Sequence, residues 1–303
     1  MIKLTFLGTS SQIPTAARNH TSILLNYQSG KSNENILIDC GENTQRQMRI
    51  ARIPPTCITK VFLTHWHGDH TLGLPGLIQN LNAHGFLGVL DFYGPKGIKK
   101  YFELMLKAFL LERKIQFRIH EIEKDGVVFE NSDFKVEAAF LNHTAPCLGY
   151  SFCELDKRKI DVKYLKKVGL KPGPILKNLQ EGKNIKFNGR VVNVNKATYL
   201  VKGKKVSIVL DTGFTKKIEK LVKNSDLLVI ESTFSKDLKE KAVEYKHLTA
   251  TDAGKIAKKC KIGRLVLTHI SQRYEKDLEI VLKEAKRIFK NSSLAEDFMV
   301  LEL

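Results

Sequence analysis

No stretch of this chain stays apolar for the roughly 18 residues that a bilayer-spanning helix requires. Its opening, Met1-Ile2-Lys3-Leu4-Thr5-Phe6-Leu7-Gly8, is a short strand pattern without a cleavage site. The expectation is a protein that neither crosses a membrane nor is exported. Cysteine is sparse: Cys40, Cys57, Cys147, Cys153 and Cys260 are odd in number, scattered, and include no CxxC pair. That pattern excludes a disulfide framework and a cysteine zinc site, and it fits buried thiols in a reducing cytoplasm. Acidic residues are also short, 32 Asp and Glu against 50 Lys and Arg, for a net charge of +18. The excess points to a polyanionic partner, nucleic acid before an anionic membrane surface, although a basic surface serving solubility alone gives the same count. With 43% hydrophobic and 27% charged residues, the composition is that of a folded globular protein.

What is present is a repeated pattern of apolar runs that stop at a potential ligand. Strand signals occupy residues 2–7, 22–27 and 36–41, the last ending at Asp39-Cys40-Gly41. A helix is predicted at 43–51, a buried strand at 60–64, and helical spacing from about 70 to 82. Further strands are expected at 88–93, 115–121, 134–140 and 147–153, with a helix over 95–111. In the last third, runs at 206–211, 226–231 and 264–269 end in Asp211, Glu231 and His269. Helices are predicted at 215–223, 249–260 and 275–289, and a final strand at 297–302. This alternation predicts an α/β protein, two sheets enclosed by helices in one domain over 1–303.

Residues 154–196 differ in kind, carrying 12 Lys or Arg against 4 Asp or Glu, a net +8. Gly169-Leu170-Lys171-Pro172-Gly173-Pro174 breaks any helix on either side. The stretch reads as two short helical or extended arms joined by that turn, or as an unstructured basic loop.

The densest chemical signal is Thr64-His65-Trp66-His67-Gly68-Asp69-His70, directly after the 60–64 strand. Imidazole nitrogen and carboxylate oxygen are donors that zinc accepts, and a tight turn can aim neighbouring residues at two adjacent ions. Four donors divided between two ions leave both under-coordinated. The downstream candidates are His143, Asp211 and His269, each after an apolar run. Any one of them alone would be read equally well as a core histidine or a capping Asp.

In this order, Asp39, His65-x-His67-x-Asp69-His70, His143, Asp211 and His269 resemble the motifs of the metallo-β-lactamase superfamily, whose fold is a four-layered αββα sandwich. The resemblance implies two Zn2+ per subunit: His65, His67 and His143 on one, Asp69, His70 and His269 on the other, with Asp211 bridging. Finer motifs are similar to the ribonuclease Z family, endonucleases that remove 3′ trailers from precursor tRNA. They are Leu7-Gly8-Thr9-Ser10-Ser11, Pro14-Thr15-Ala16-Ala17-Arg18-Asn19, Asp39-Cys40-Gly41-Glu42-Asn43-Thr44-Gln45, Asn142-His143-Thr144-Ala145-Pro146, His247-Leu248-Thr249-Ala250 and Thr268-His269-Ile270-Ser271-Gln272-Arg273-Tyr274. Two positions depart from that family: Asn43 replaces a usual Gly, and Ala16 stands where many members carry Lys.

What the family resemblance implies is a metal-held hydroxide attacking phosphorus, with Asp69 taking its proton. His247, charged and oriented by Glu231, would protonate the leaving 3′ oxygen. The products would be a tRNA 3′-hydroxyl and a trailer 5′-phosphate. Arg18, Ser271 and Arg273 are candidate phosphate contacts, and the arm with Gly173 and Pro174 would grip precursor tRNA. The resemblance also implies a homodimer. His20, His84 and His120 match no motif and read as surface or packing residues. The competing functions are a thioester hydrolase or small-substrate phosphodiesterase on the same fold, and a non-catalytic RNA-binding protein.

Overall fold

The computed structural model describes residues 1–30, 32–111 and 115–303. Its strands are β1 (Ile2–Gly8), β2 (Ser22–Ser29), β3 (Ser32–Ile38), β4 (Lys60–Phe62), β5 (Val89–Pro95), β6 (Gln116–Ile122), β7 (Gly126–Glu130), β8 (Phe134–Leu141) and β9 (Cys147–Glu154). They continue with β10 (Lys157–Ile160), β11 (Ile185–Phe187), β12 (Arg190–Val192), β13 (Thr198–Val201), β14 (Lys205–Val209), β15 (Leu227–Glu231), β16 (Arg264–Thr268), β17 (Ser292–Leu294) and β18 (Val300–Glu302). One sheet has the order β18-β1-β2-β3-β4-β5-β6, the other β17-β16-β15-β14-β9-β8-β7. Each is antiparallel in one part and parallel in the other: β3 to β6 run parallel in the first, β14 to β17 in the second.

Alternation along the strands decides how the sheets meet. Leu4 and Phe6 of β1, Ile23 and Leu25 of β2 and Phe62 of β4 face Phe134, Val136, Tyr150, Phe152, Ile208 and Val229 of the other sheet, forming the central core. Phe62 stacks on Tyr93 at 4.5 Å and meets Tyr150 edge-on at 5.2 Å. The residues between them in sequence point outward, where helices cover them. Leu37, Val61 and Leu63 pack under helices Leu74–Ala83 and Ile98–Ala108. Val209, Leu228 and Leu265 pack under Lys216–Val222, Ala250–Lys259 and Glu279–Ile288. Four layers result, the αββα sandwich expected from the sequence.

Some boundaries move for local reasons. The helix expected over 95–111 begins only at Ile98, because Gly97 takes φ 100°, a conformation glycine alone adopts freely. The one expected over 275–289 becomes a 3-10 turn at Gln272–Tyr274 and a helix from Glu279. Strand β7 and helix Lys239–Glu244 were not anticipated. Helix Ala250–Lys259 starts as expected, with a capping box in which Thr249 and Asp252 bond each other's backbone N–H.

The basic stretch is built as a small unit of its own. Strands β10 and β13 pair antiparallel, Lys157 opposite Val201, and β11 pairs with β12. Short helices at Val162–Lys167, Leu176–Gln180 and Val194–Ala197 close over Leu165, Leu170, Leu179, Ile185, Val192, Val194 and Ala197. Seven buried apolar side chains account for its holding a shape despite its charge. Gly173 and Pro174 lie exposed between the first two helices.

Phe62→Ala should lower the free energy of unfolding by about 3–5 kcal/mol, since it empties the contact between the sheets beneath the histidine cluster. Urea denaturation of the two proteins measures the difference.

Candidate metal centre and hydrolytic site

The histidine cluster is presented by the seam between the sheets. Asp39 lies just past β3, at φ 55°, and is fully buried. Its carboxylate accepts from the Thr64 N–H and hydroxyl, both at 2.7 Å, and from His70 Nδ1 at 2.6 Å. Thr64 is held from the other sheet as well, its carbonyl accepting from Leu148 N–H at 2.9 Å. The Tyr150 hydroxyl donates to the Leu63 carbonyl at 2.6 Å. Gly41 has no room for a side chain: a Cβ there would sit 2.6 Å from the Asp69 carbonyl oxygen. The turn from His65 to the helix Gly68–Thr71 is thereby fixed from both sides.

These supports also set which ring nitrogen faces inward. A carboxylate can only accept, so His70 donates from Nδ1 to Asp39 and turns Nε2 into the site. The Thr64 hydroxyl gives its proton to Asp39 and therefore accepts from His65 Nδ1 at 3.0 Å. His143 Nδ1 donates to the Lys246 carbonyl at 3.2 Å. Thr233, whose proton goes to Glu231 Oε2 at 2.6 Å, accepts from His269 Nδ1 at 3.0 Å. Four imidazoles thus present Nε2 to one point. His67 approaches through Nδ1, 3.3 Å from His143 Nε2.

Asp211, just beyond β14, stands among them and divides its oxygens. Oδ2 lies 3.8 Å from His65 Nε2 and 3.7 Å from His143 Nε2, while Oδ1 lies 3.3 Å from His70 Nε2 and 3.0 Å from His269 Nε2. Asp69 Oδ2 completes the second group, 3.4 Å from His70 Nε2 and 3.5 Å from His269 Nε2. Two donor sets follow, His65, His67, His143 and Asp211, and Asp69, His70, Asp211 and His269, sharing one carboxylate. Nε2 of His65, His70 and His269 and Oδ1 of Asp211 are buried without a hydrogen-bond partner. Orphaned donors of this kind, converging from tautomers fixed behind them, fit metal cations.

The charges agree. Burial pushes Asp211 towards its neutral form, yet His269 and His70 hold it well below the usual carboxylate range. Asp69 behaves alike: burial opposes its charge and His70 overrides it. Burial and the neighbouring His70 push His65 well below the imidazole range; burial also lowers His143.

His247 stands beside this centre, its ring 5.2 Å from that of His143 and 5.6 Å from that of His269. Its Nδ1 meets Glu231 Oε1 at 2.9 Å. Burial works against its charge, but the fully buried Glu231 carboxylate lifts it to about 9. Glu231 also accepts from Thr212 N–H at 2.7 Å. His67, Asp69, His143, Asp211, His247 and His269 open on a cleft of about 630 Å³.

Across the full length the chain is similar to known enzymes. The ribonuclease Z of Methanothermobacter thermautotrophicus is 37% identical, over 100% of this chain and 97% of that one. The ribonuclease Z of Bacillus cereus is also 37% identical, over 98% and 97%. The chain belongs to the ribonuclease Z family. Residues 2–152 additionally match the family described as Anti-Pycsar protein Apyc1. Among solved structures, the short form of human tRNase Z aligns with a TM-score of 0.71 and 27% identity, covering 99% of this chain and 98% of that one. A metallo-β-lactamase fold protein of Bacillus subtilis aligns at 0.70 with 20% identity over 100% and 99%, which bears on the fold alone.

In this ribonuclease Z family member, the structure brings together all seven donors expected from the sequence, with His247 and Glu231 beside them. Arg273 is exposed on the cleft wall, its guanidinium over the Phe234 ring at 5.8 Å, whereas Ser271 is buried and caps the turn at Gln272–Tyr274. Arg18 does not fit the role of a phosphate contact. It is buried and donates to the carbonyls of Ala295 at 2.8 Å and Thr9 at 3.4 Å, so it clasps the Ser10–Asn19 loop to the body. Asn43 takes φ 62°, which Asn tolerates, in place of the glycine usual there. His20, read as an ordinary packing residue, is buried in the cleft wall with Nε2 3.0 Å from the Gln12 carbonyl. His120 is a partner of Asp91 at 2.7 Å, away from the site. The sequence reading missed Thr233, Phe234 and Tyr245. No motif or spacing in the sequence singled out Thr233.

Asp39→Asn keeps the shape but offers an amide N–H where an acceptor is needed. Metal affinity should fall about 10–100-fold, measured by titration in metal buffers, with the fold unchanged by circular dichroism.

Proposed function

We propose that this chain is a two-zinc endoribonuclease that cuts the 3′ trailer from precursor tRNA, leaving a 3′-hydroxyl on the tRNA and a 5′-phosphate on the trailer. The observation that carries the reading is the pairing of the shared Asp211 carboxylate with a separate, charged imidazole, His247, within one cleft. His65, His67 and His143 would hold one ion and Asp69, His70 and His269 the other, with Asp211 between them. When bound, such a pair supplies Lewis acidity to a phosphate ester and acidifies a water for attack.

The chain's own residues supply the proton traffic. Asp69, kept as a carboxylate and open to the cleft, accepts the proton of the attacking water. His247 presents Nε2 to substrate, because Glu231 occupies Nδ1, and gives its proton to the leaving 3′ oxygen. Buried Glu231, fixed by Thr212 and Thr233, keeps that ring charged and oriented. Arg273 meets a flanking phosphate.

The unit spanning 157–201 is read as the part that holds tRNA. Lys157, Arg158, Lys159, Lys163, Lys166, Lys167, Lys171, Lys177, Lys183, Lys186, Arg190 and Lys196 lie within it, suited to phosphates in a row rather than to base recognition. A thioester hydrolase or a small-substrate phosphodiesterase has no use for it. Among the described residues no helix is long and apolar enough to cross a membrane, and the five cysteines are free, in keeping with a cytoplasmic enzyme. Following the family resemblance, the working form is a homodimer, tested by sedimentation.

Incubation of the zinc-loaded protein with a trailer-bearing precursor tRNA should yield one cut at the trailer boundary, with the end groups named above. A protein carrying two zinc ions per chain that leaves the precursor intact overturns the reading. His247→Ala should lower kcat about 100–10,000-fold with bound zinc unchanged; zinc lost in parallel would make it a ligand. Arg158 and Leu200 are partners in register, so a short turn can replace the residues between them. That variant should raise KM for precursor tRNA far more than it lowers kcat, and leave hydrolysis of bis(p-nitrophenyl) phosphate intact.

A further inference from the structure

A second cavity, of about 350 Å³, lies against the catalytic cleft and shares His247 with it. Its wall includes Asn142, Phe214, Lys239, Val243 and Lys246. Tyr245 opens on the cleft, Lys246 on the second cavity and His247 on both, so these three consecutive residues form the partition. Lys246 has φ 53° and is pinned twice to His143, through its carbonyl and through its ammonium at 3.2 Å from the His143 carbonyl. The partition is therefore anchored to the metal centre. Phe214, three residues after Asp211, is 55% exposed. Asp252 is the acid in this wall, and its carboxylate is engaged by Thr249.

The proposed reaction assigns a direction to the substrate. An acid must stand within hydrogen-bond reach of the oxygen it protonates, so the ribose carrying the leaving 3′ oxygen is next to His247. The space that adjoins the cleft at His247 is the second cavity, which the base of that ribose would enter. Its contents suit a nucleotide: an open aromatic face, and the ammonium groups of Lys239 and Lys246 for the 5′-phosphate.

Resting on the endonuclease reading above, we propose that this cavity is the subsite for the last nucleotide retained by the tRNA, with Phe214 as the platform on which its base stacks. Phe214 is a specificity-determining residue that contributes no group to the chemistry. Stacking is indifferent to base identity, so the subsite senses that a base is present rather than which one.

The test compares trailer-bearing precursor tRNA carrying an intact or an abasic nucleotide immediately 5′ of the cut, with wild type, Phe214→Ala and Phe214→Tyr. On the intact substrate Phe214→Ala should lower kcat/KM about tenfold or more, with zinc content unchanged, and Phe214→Tyr should restore it. The abasic substrate should cost wild type a similar factor and cost Phe214→Ala nothing further. An abasic penalty of equal size in both proteins, or a Phe214→Ala enzyme as fast as wild type on the intact substrate, overturns the subsite while leaving the endonuclease in place. No cleavage of any precursor by wild type overturns both.

Discussion

The Asp211 carboxylate is the constraint on which the rest of the arrangement depends. It is buried, it carries its charge against that burial, and each oxygen faces two imidazole nitrogens. A carboxylate so placed is tolerable only if positive charge converges on it. On each of its sides the two imidazoles come from different sheets. His65, His67, Asp69 and His70 follow β4 of the first sheet; His143, Asp211 and His269 follow β8, β14 and β16 of the second. The packing of Phe62, Tyr93 and Tyr150 between the sheets therefore does more than fill space. It sets the separation at which both halves of the donor set reach one carboxylate.

Behind the donors lies a layer of hydrogen bonds that is itself charged. Asp39 acts on His70 directly and on His65 through the Thr64 hydroxyl; Glu231 acts on His247 directly and on His269 through the Thr233 hydroxyl. The two arrangements are alike, a buried carboxylate reaching one imidazole itself and a second by way of a threonine. Each removes the freedom of a ring to flip or change tautomer before any cation arrives, so the ordering cost of binding is met during folding.

The donor set was legible in the sequence because each donor follows an apolar strand, and parallel strands deliver their ends to a common edge. His65 to His70, His143, Asp211 and His269 needed only that rule and the resemblance of their order. The layer behind them was not legible. A threonine two residues past Glu231 has no spacing signature, and its hydroxyl matters only because β15 and β16 lie in register, Glu231 opposite Thr268. Arg18 misled for a related reason: a lone arginine in a polar loop looks like a phosphate contact, and only the tertiary fold supplies the carbonyls of Thr9 and Ala295 that occupy it. The basic stretch was visible as charge, while its folding followed from seven apolar residues too widely spaced to show a period.

In the proposed reaction one residue type performs opposite tasks in this cleft, and its surroundings decide which. His65 and His143 are pushed towards neutrality, as ligands must be, by burial and by imidazole neighbours. His247, also buried, is held charged by Glu231, whose other oxygen takes the Thr233 proton. Glu231, His247 and His269 do approach closely enough to form a third donor group. His247 Nδ1 faces Glu231, the Nδ1 of His269 meets the Thr233 hydroxyl, and the Nδ1 of His70 meets Asp39 directly. A carboxylate on Nδ1 therefore does not by itself distinguish the rings, since His70, backed by Asp39, still turns Nε2 towards Asp69 and Asp211. In the proposed reaction His70 and His269 bind metal while His247 delivers a proton, and the difference lies around Nε2, where Asp69 and Asp211 oxygens stand within 3.5 Å of His70 and of His269.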